Sequence, residues 1–497
     1  MLRYALLAIL QANLLRSAWA FPTAETNIRS TSAAKDACKQ IKDAISSASE
    51  IFFPGSKGYE RDIEHWSPTN TQKATCSVEP ANTKDLGKII QIIGSTKVDF
   101  AVKSGGHNPN DDWSSTTGVQ IALYRFNEVS YDDKAGTATI GTGLVWDDVY
   151  AVLDPLGVHV AGARVTGIGV GGYTLGGGYS WFANQVGLCI DTVTAFELVK
   201  PDGSYGWVTG SSDPDLFFAL KGGLNNFGIV TRVTLKTFPG GEVWGGLIQY
   251  VSGFDKVMAA IEKFVKTVKD PKASILTTFN FILGNLSIGQ QLFYDGPNPP
   301  PGIFDDFFNN GAQSIISDTK TRTLYDFVRS TQANATVGTR AIFNTVPLGE
   351  ITRNMLTVVA NETQFYGQNF ANSSVFTGYT FEPHIGNIYR FTNSPSAWPP
   401  SRDFSDYPLF IHFAWTLESF DGTFHDAIKQ SAAYLKEVAK AEGQKHIDKT
   451  NPYPNYAIYD DTAKEVYGSN LGKLKEIKRR VDPKNVMGLT GGLKIKA

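Results

Sequence analysis

The chain has 497 residues, of which 42% are hydrophobic and 19% charged, with a formal net charge of −2. This composition belongs to an ordinary globular protein and excludes the disordered and fibrous classes. The length calls for two domains or more, and the near-neutral charge offers no footing for nucleic acid or an anionic membrane surface.

In chain order, the first element is a secretory signal. Arg3 supplies a short basic region, an apolar stretch over 4–15 follows, and Ala18-Trp19-Ala20 places small residues where a signal peptidase reads. The predicted mature chain starts near Phe21, and the alternative is a buried N-terminal helix. The apolar stretch is too short for a membrane anchor, and no later window is long enough either. A helix-like pattern covers 34–50. Cys38 and Cys76 flank the start of the folded body and can pair in an oxidising compartment, the alternative being three free thiols.

Leu86, Ile89, Ile90 and Ile93 fall at helical spacing within 83–93. Short strands are predicted over 98–102, 120–123, 137–141, 193–199 and 228–235, with a hairpin turn at Asp202-Gly203 and a capped helix at 213–220. After Pro239-Gly240 the composition changes. Residues 241–449 hold helix candidates near 254–268, 351–361 and 424–441, a strand over 409–416 and a proline-rich loop over 297–301. This region reads as a second domain, one sheet with helices behind it. It also carries four glycosylation sequons, at Asn285, Asn334, Asn361 and Asn372. The last fifty residues, with a basic helix over 471–480, read as a return to the first domain.

Glycine accounts for 48 residues, many of them between 94 and 228. In Lys103-Ser104-Gly105-Gly106-His107-Asn108 a strand ends in paired glycines that can expose successive backbone N–H groups to a pyrophosphate. Taken alone, the segment serves equally as a tight turn with a surface histidine. The run 162–178 contains Gly167, Gly169 and Gly172 at G-x-G-x-x-G spacing. A dinucleotide motif must open a helix, and here Gly171, Gly172, Gly176, Gly177 and Gly178 would fill its first turns. At roughly 1 kcal/mol per interior glycine, no helix is predicted. An irregular loop running close along a flat cofactor is expected instead, with Ile168 and other apolar side chains too frequent for a linker. The segment 221–228 leading into Ile229 and Val230 is again rich in backbone and poor in side chains.

These segments identify the chain as similar to the FAD-linked oxidases of the vanillyl-alcohol oxidase superfamily, in particular its berberine-bridge-enzyme-like branch. The resemblance rests on 104–107, 167–178, 187–191, 199–203, 213–217, 222–228 and the tail from Tyr453-Pro-Asn-Tyr456 to Asp482-Pro483. It implies an α+β, two-domain PCMH-type FAD-binding fold. The FAD-binding domain spans 21–240, with its core at about 75–240, and is completed by 450–497. The substrate domain, a separate unit of sheet plus helices, spans 241–449.

The resemblance further implies FAD bonded covalently through His107. A second bond, made by cysteine in doubly linked relatives, is expected to be absent because Val165 stands at that position. Cofactor contacts are expected from Lys103, Ser104, Gly105, Gly106, Asn108, Gly167, Ile168, Gly169, Gly171, Gly172, Gly177, Gly228, Ile229, Val230 and Asn455. Tyr456 matches the tyrosine that many relatives use as a base. A free phenol has a pKa near 10, so a cation or hydrogen bond must lower it for work at neutral pH. Alternation along 409–416 puts Phe410, His412 and Ala414 on one face, where His412 is either a pocket residue or a satisfied core histidine.

The expected function is that of a secreted oxidoreductase that oxidises a small organic molecule, such as a secondary metabolite, with O2 as acceptor. The alternatives are an oxidative or non-redox cyclase, a carbohydrate oxidase, and a binding protein on an inactive flavin scaffold. No metal is called for, and the sequence assigns no oligomeric state.

Overall fold

The computed structural model describes residues 24–282, 284–331, 335–392 and 394–496. The signal segment and Asn334 lie outside them. The first element among the described residues is a helix, Ala24–Ala44, tied to the first parallel strand by a Cys38–Cys76 disulfide. Cys189, buried at 3.7 Å from Thr174 Oγ1, is the free cysteine.

Two main sheets build the first domain, beside a two-stranded pair of Val158–His159 with Phe238–Pro239. In the four-stranded sheet, Cys76–Glu79 and Phe100–Lys103 run parallel to Val119–Ala122 between them, and Glu50–Phe52 adds an antiparallel edge. The helix Thr83–Thr96 is started by Asn82, whose side chain accepts from Asp85 N, and is stopped by Lys97 in the left-handed region. It buries Leu86, Ile89, Ile90 and Ile93 against this sheet. The second sheet is antiparallel, in the order Val129–Asp132, Thr137–Gly141, Ile229–Lys236, Val193–Val199, Tyr205–Thr209. Its last hairpin turns at Asp202-Gly203, as predicted, with Gly203 at φ +85°. Asp213 caps the helix Pro214–Leu220 by accepting from Leu216 N at 3.0 Å, and Pro214 sits in its first turn.

The second domain is one large antiparallel sheet. Its order is Ser314–Ser317, Val243–Tyr250, Asn285–Tyr294, Ala273–Ile282, Ser374–Phe381, Tyr407–Trp415, Arg340–Leu348, and Lys320–Arg322 also pairs with Val243–Tyr250. The three expected helices are Phe254–Thr267, Arg353–Asn369 and Asp421–Ala441. They cover one face through a core that includes Phe279, Tyr379, Leu409, Ile411 and Phe413. The opposite face looks back at the first domain.

The chain's end returns to the first domain. The helix Leu471–Val481 buries Leu474 and Ile477 there. Lys478 Nζ donates to Asn226 O at 2.9 Å, and Ile495 N donates to Asn226 Oδ1 at 3.0 Å.

The glycine run corrects one expectation, because Val170–Leu175 is a helix, with Gly171 and Gly172 inside it. The helix is only six residues long, and tertiary contact outweighs propensity. A Cβ on Gly105 would lie 2.5 Å from Gly169 Cα, and a Cβ on Gly169 would lie 2.3 Å from Gly105 N. Gly171 N donates to Ser104 Oγ at 3.0 Å. Two backbones touch here, and only glycine allows that approach.

The disulfide gives a testable stability effect. It closes a loop of 38 residues, for which chain entropy suggests a contribution of about 3–4 kcal/mol. Cys76→Ser should lower the midpoint of chemical denaturation accordingly, and an unchanged midpoint would assign the stability of this region to packing alone.

Candidate active site

A cavity of about 410 Å³ lies where the two domains meet. One wall starts at the end of the strand Phe100–Lys103. Residues 104–108 all border the cavity, as do Ile168, Gly169, Gly171 and Gly172 from the glycine run and 228–230 from the second sheet. Ser104 Oγ donates to Thr142 O at 2.5 Å and accepts from Gly171 N, locking the two glycine segments together. Gly106 adopts φ +66°, and a Cβ there would lie 2.9 Å from Lys103 Cε.

Three residues expected at the cofactor stand elsewhere. Lys103 turns away from the cavity, and its Nζ donates to Arg61 O at 2.8 Å. Gly167 N donates to Asp147 Oδ2. Gly177 backs onto Trp398 and Tyr453, where a Cβ would come within 3.1 Å of both rings. Asn455 borders the cavity, but its amide holds Tyr173 O at 3.0 Å and Tyr453 Oη at 2.9 Å.

His107 stacks on Trp66, with ring centroids 4.5 Å apart and planes at 21°. Trp66 N donates to Gly106 O, and Gly338 N donates to Trp66 O. Trp66 therefore joins the histidine loop to the substrate domain through its backbone, and its indole does so by ring contacts with His107, Phe343 and His412. Burial pushes the His107 pKa down to about 4, so the ring is neutral at physiological pH. Its Nε2 is buried with no hydrogen-bond partner among the described residues.

His412 also borders the cavity, together with Phe410. The intervening Ile411 and Phe413 enter the core under the helices, so the predicted face holds. His412 lies among Phe376, Phe343 and Trp66, at centroid distances of 4.9, 5.0 and 5.7 Å. Its Nε2 lacks a partner among the described residues, and burial pushes its pKa down to about 3. It is a neutral pocket ring rather than a hydrogen-bonded core histidine.

Tyr456 stands at the centre of a cluster of three polar side chains. Its hydroxyl donates to Glu382 Oε1 at 2.8 Å and accepts from Arg164 Nη2 at 3.0 Å, while Arg164 Nη2 also reaches Glu382 Oε2 at 2.7 Å. Arg164 and Glu382 are 9% and 2% exposed, so the ion pair is largely out of water. Burial works against the Arg164 charge, but Glu382 and Tyr456 outweigh it and hold the guanidinium above its ordinary range.

The expected lowering of the Tyr456 pKa is reversed. Burial, then the Glu382 charge, raise the phenol well above 10 against the opposing pull of Arg164. At neutral pH, Tyr456 is a hydroxyl that has already committed its proton toward a carboxylate.

Arg164, Glu382 and Trp66 escaped the sequence reading. A signal existed for two of them. Arg164 is the one Lys or Arg between Lys134 and Lys200, and Glu382 is the one acidic residue between Glu362 and Asp403. Isolated charges inside apolar stretches end up buried and paired, or functional. Trp66 gave no signal, because its position depends on the meeting of the two domains.

The cavity suits FAD. The bare backbone of two glycine segments lines one side, and no atom lies within 4 Å of a Cβ built on Gly172. Val102, Leu123, Ile229 and Val230 form an apolar slot, and a neutral unpartnered imidazole stands beside them. Residues 74–209 match the family described as FAD binding domain, and 452–492 match that of berberine and berberine-like proteins. The FAD-dependent monooxygenase tpcD of Cochliobolus heterostrophus is 30% identical over 443 residues, 84% of each chain. The chain belongs to the berberine-bridge-enzyme-like family. It is also 37% identical over 266 residues to an uncharacterised FAD-linked oxidoreductase of Arthroderma benhamiae, an alignment covering 52% of this chain and 53% of that one. The fold is shared with the glucooligosaccharide oxidase of Acremonium strictum, which carries 6-S-cysteinyl, 8α-N1-histidyl FAD. The TM-score is 0.75 at 19% identity, over 92% of this chain and 100% of the other. Like its berberine-bridge-like relatives, the protein is an FAD-dependent oxidoreductase.

Proposed function

We propose that this protein is an oxidase that removes a hydride and a proton from a small organic alcohol, or from a phenol bearing a benzylic C–H, holds FAD through one bond to His107, and passes the electrons to O2. The Tyr456–Glu382–Arg164 cluster, open to the same cavity as His107, carries this reading. FAD, when bound, supplies the hydride acceptor. A substrate hydroxyl beside Tyr456 Oη can lose its proton to that oxygen while Tyr456 passes its own to Glu382 Oε1. Arg164 keeps Tyr456 and Glu382 aligned and balances the charge left on the substrate oxygen.

His107 is a neutral nucleophile at the cavity wall. Val165 borders the same cavity and cannot form a thioether, which supports one covalent link. The balance is one H2O2 released per substrate oxidised. Measured stoichiometry near one supports the oxidase, whereas an isomerised product without H2O2 would place the protein with the cyclases.

Export with glycosylation is part of the same reading. The Cys38–Cys76 bridge suits an oxidising compartment, and Asn285, Asn361 and Asn372 are exposed. Protein secreted from a eukaryotic host should lose mass on endoglycosidase treatment and begin near Phe21. An unprocessed cytosolic chain would contradict it.

A further inference from the structure

The substrate-domain wall of the cavity is written in sheet register. Gln291 lies opposite Leu276, Thr278 opposite Thr380, Thr380 opposite Phe410, and His412 opposite Phe343. Two kinds of surface result. On one side are rings: Phe343 meets Phe410 edge-on at 4.9 Å, and Phe410 lies 4.3 Å from Tyr456. On the other side the polar capacity is small. The Thr278 and Thr380 hydroxyls bond each other at 2.9 Å, and both Glu382 oxygens are engaged by Tyr456 and Arg164. Gln291 borders the cavity, and its amide makes no hydrogen bond among the described residues.

A pyranose carries a hydroxyl on nearly every carbon, and each one taken out of water needs a partner. This wall offers one free amide, the unpartnered ring nitrogen of His412 and a threonine pair that is already mutually bonded, so most of a sugar's hydroxyls would be stranded. A flat aromatic molecule has the opposite requirement, because its faces and edges are complementary to tilted rings and it needs few donors. The geometry points to a planar hydroxylated aromatic substrate that also carries a benzylic C–H as the hydride source, placed with one hydroxyl on Tyr456 and a second polar group on Gln291. The assignment rests on the oxidase reading of the site and narrows it to a substrate class.

Two planar probes separate the contributions. 2-Naphthol offers one hydroxyl, and 2,6-dihydroxynaphthalene offers two at opposite ends. Holoenzyme is titrated with each, and with cellobiose, under anaerobic conditions. Binding is read from the naphthol's own fluorescence and from the flavin absorbance bands. The diol should bind about five-fold more tightly than 2-naphthol, the effect of one added hydrogen bond. Gln291→Leu should abolish that gain without weakening 2-naphthol. Phe410→Leu should weaken both.

Equal affinity of the two naphthols, a gain that survives Gln291→Leu, or saturable binding of cellobiose in preference to either naphthol would overturn the assignment. The oxidase reading fails on a different result, reduced flavin that air does not reoxidise. Naphthol fluorescence reports binding whichever way that measurement falls.

Discussion

Tyr456→Phe is expected to retain its flavin and lose about 10²–10⁴-fold in the rate of flavin reduction, the range typical of a general acid–base group. The ring, its packing on Phe410 and the Arg164–Glu382 ion pair all remain, so the stability cost should stay near about 1 kcal/mol, the worth of a single hydrogen bond. Glu382→Gln should slow reduction by a similar factor because the proton then has no carboxylate to reach. It differs in stability. The neutral amide leaves Arg164 buried without its counter-charge, which costs about 3–5 kcal/mol. Stopped-flow reduction and chemical denaturation of the two variants distinguish these effects. The pH profile adds a third readout. Burial and Glu382 hold the Tyr456 phenol well above 10, so the wild-type rate of reduction should show no tyrosine ionisation between pH 6 and 10. A limb in that range that vanishes in Tyr456→Phe would restore a phenolate base.

His107→Ala should abolish covalent attachment altogether. Acid-precipitated wild-type protein is expected to stay yellow, and digestion should give one flavin-bearing peptide, containing His107. The variant should release its FAD to the supernatant or purify without it. Trp66 loses its stacked partner in that variant, so a thermal melt should accompany the assay to separate loss of the bond from loss of the fold. A colourless wild-type pellet would leave a flavoenzyme that holds its cofactor by contact alone.

The parts of the fold that were legible in the sequence are those set by local rules. The Asp213 cap with Pro214, the Asp202-Gly203 turn and the spacing of Leu86, Ile89, Ile90 and Ile93 each act within a few residues, and each appears as written. Alternation placed Phe410 and His412 on one face for the same reason. Glycine misled where propensity was asked to decide alone. The helix Val170–Leu175 forms because Gly105 and Gly169 must touch, a contact between distant segments that no local scale contains. The chemistry was half legible. Tyr456 and His107 follow from recognisable segments, whereas the direction of the tyrosine's pKa depends on Glu382 and Arg164. These lie 74 and 292 residues away from it and meet it only in the folded protein.

The return of the chain's end to its first domain has a consequence for biogenesis. Asn226 is held by Lys478 and Ile495, and Tyr456 and Gly492 border the same cavity as His107. The histidine loop therefore leaves the ribosome long before the residues that close the pocket around it. During synthesis the first domain waits as an open half-shell, with the whole second domain made in between. Cofactor loading is thus tied to synthesis of residues 453–495: a chain terminated before them lacks the residues that shut the pocket. The yellow colour of the holoprotein then reports that translation has passed Ile495.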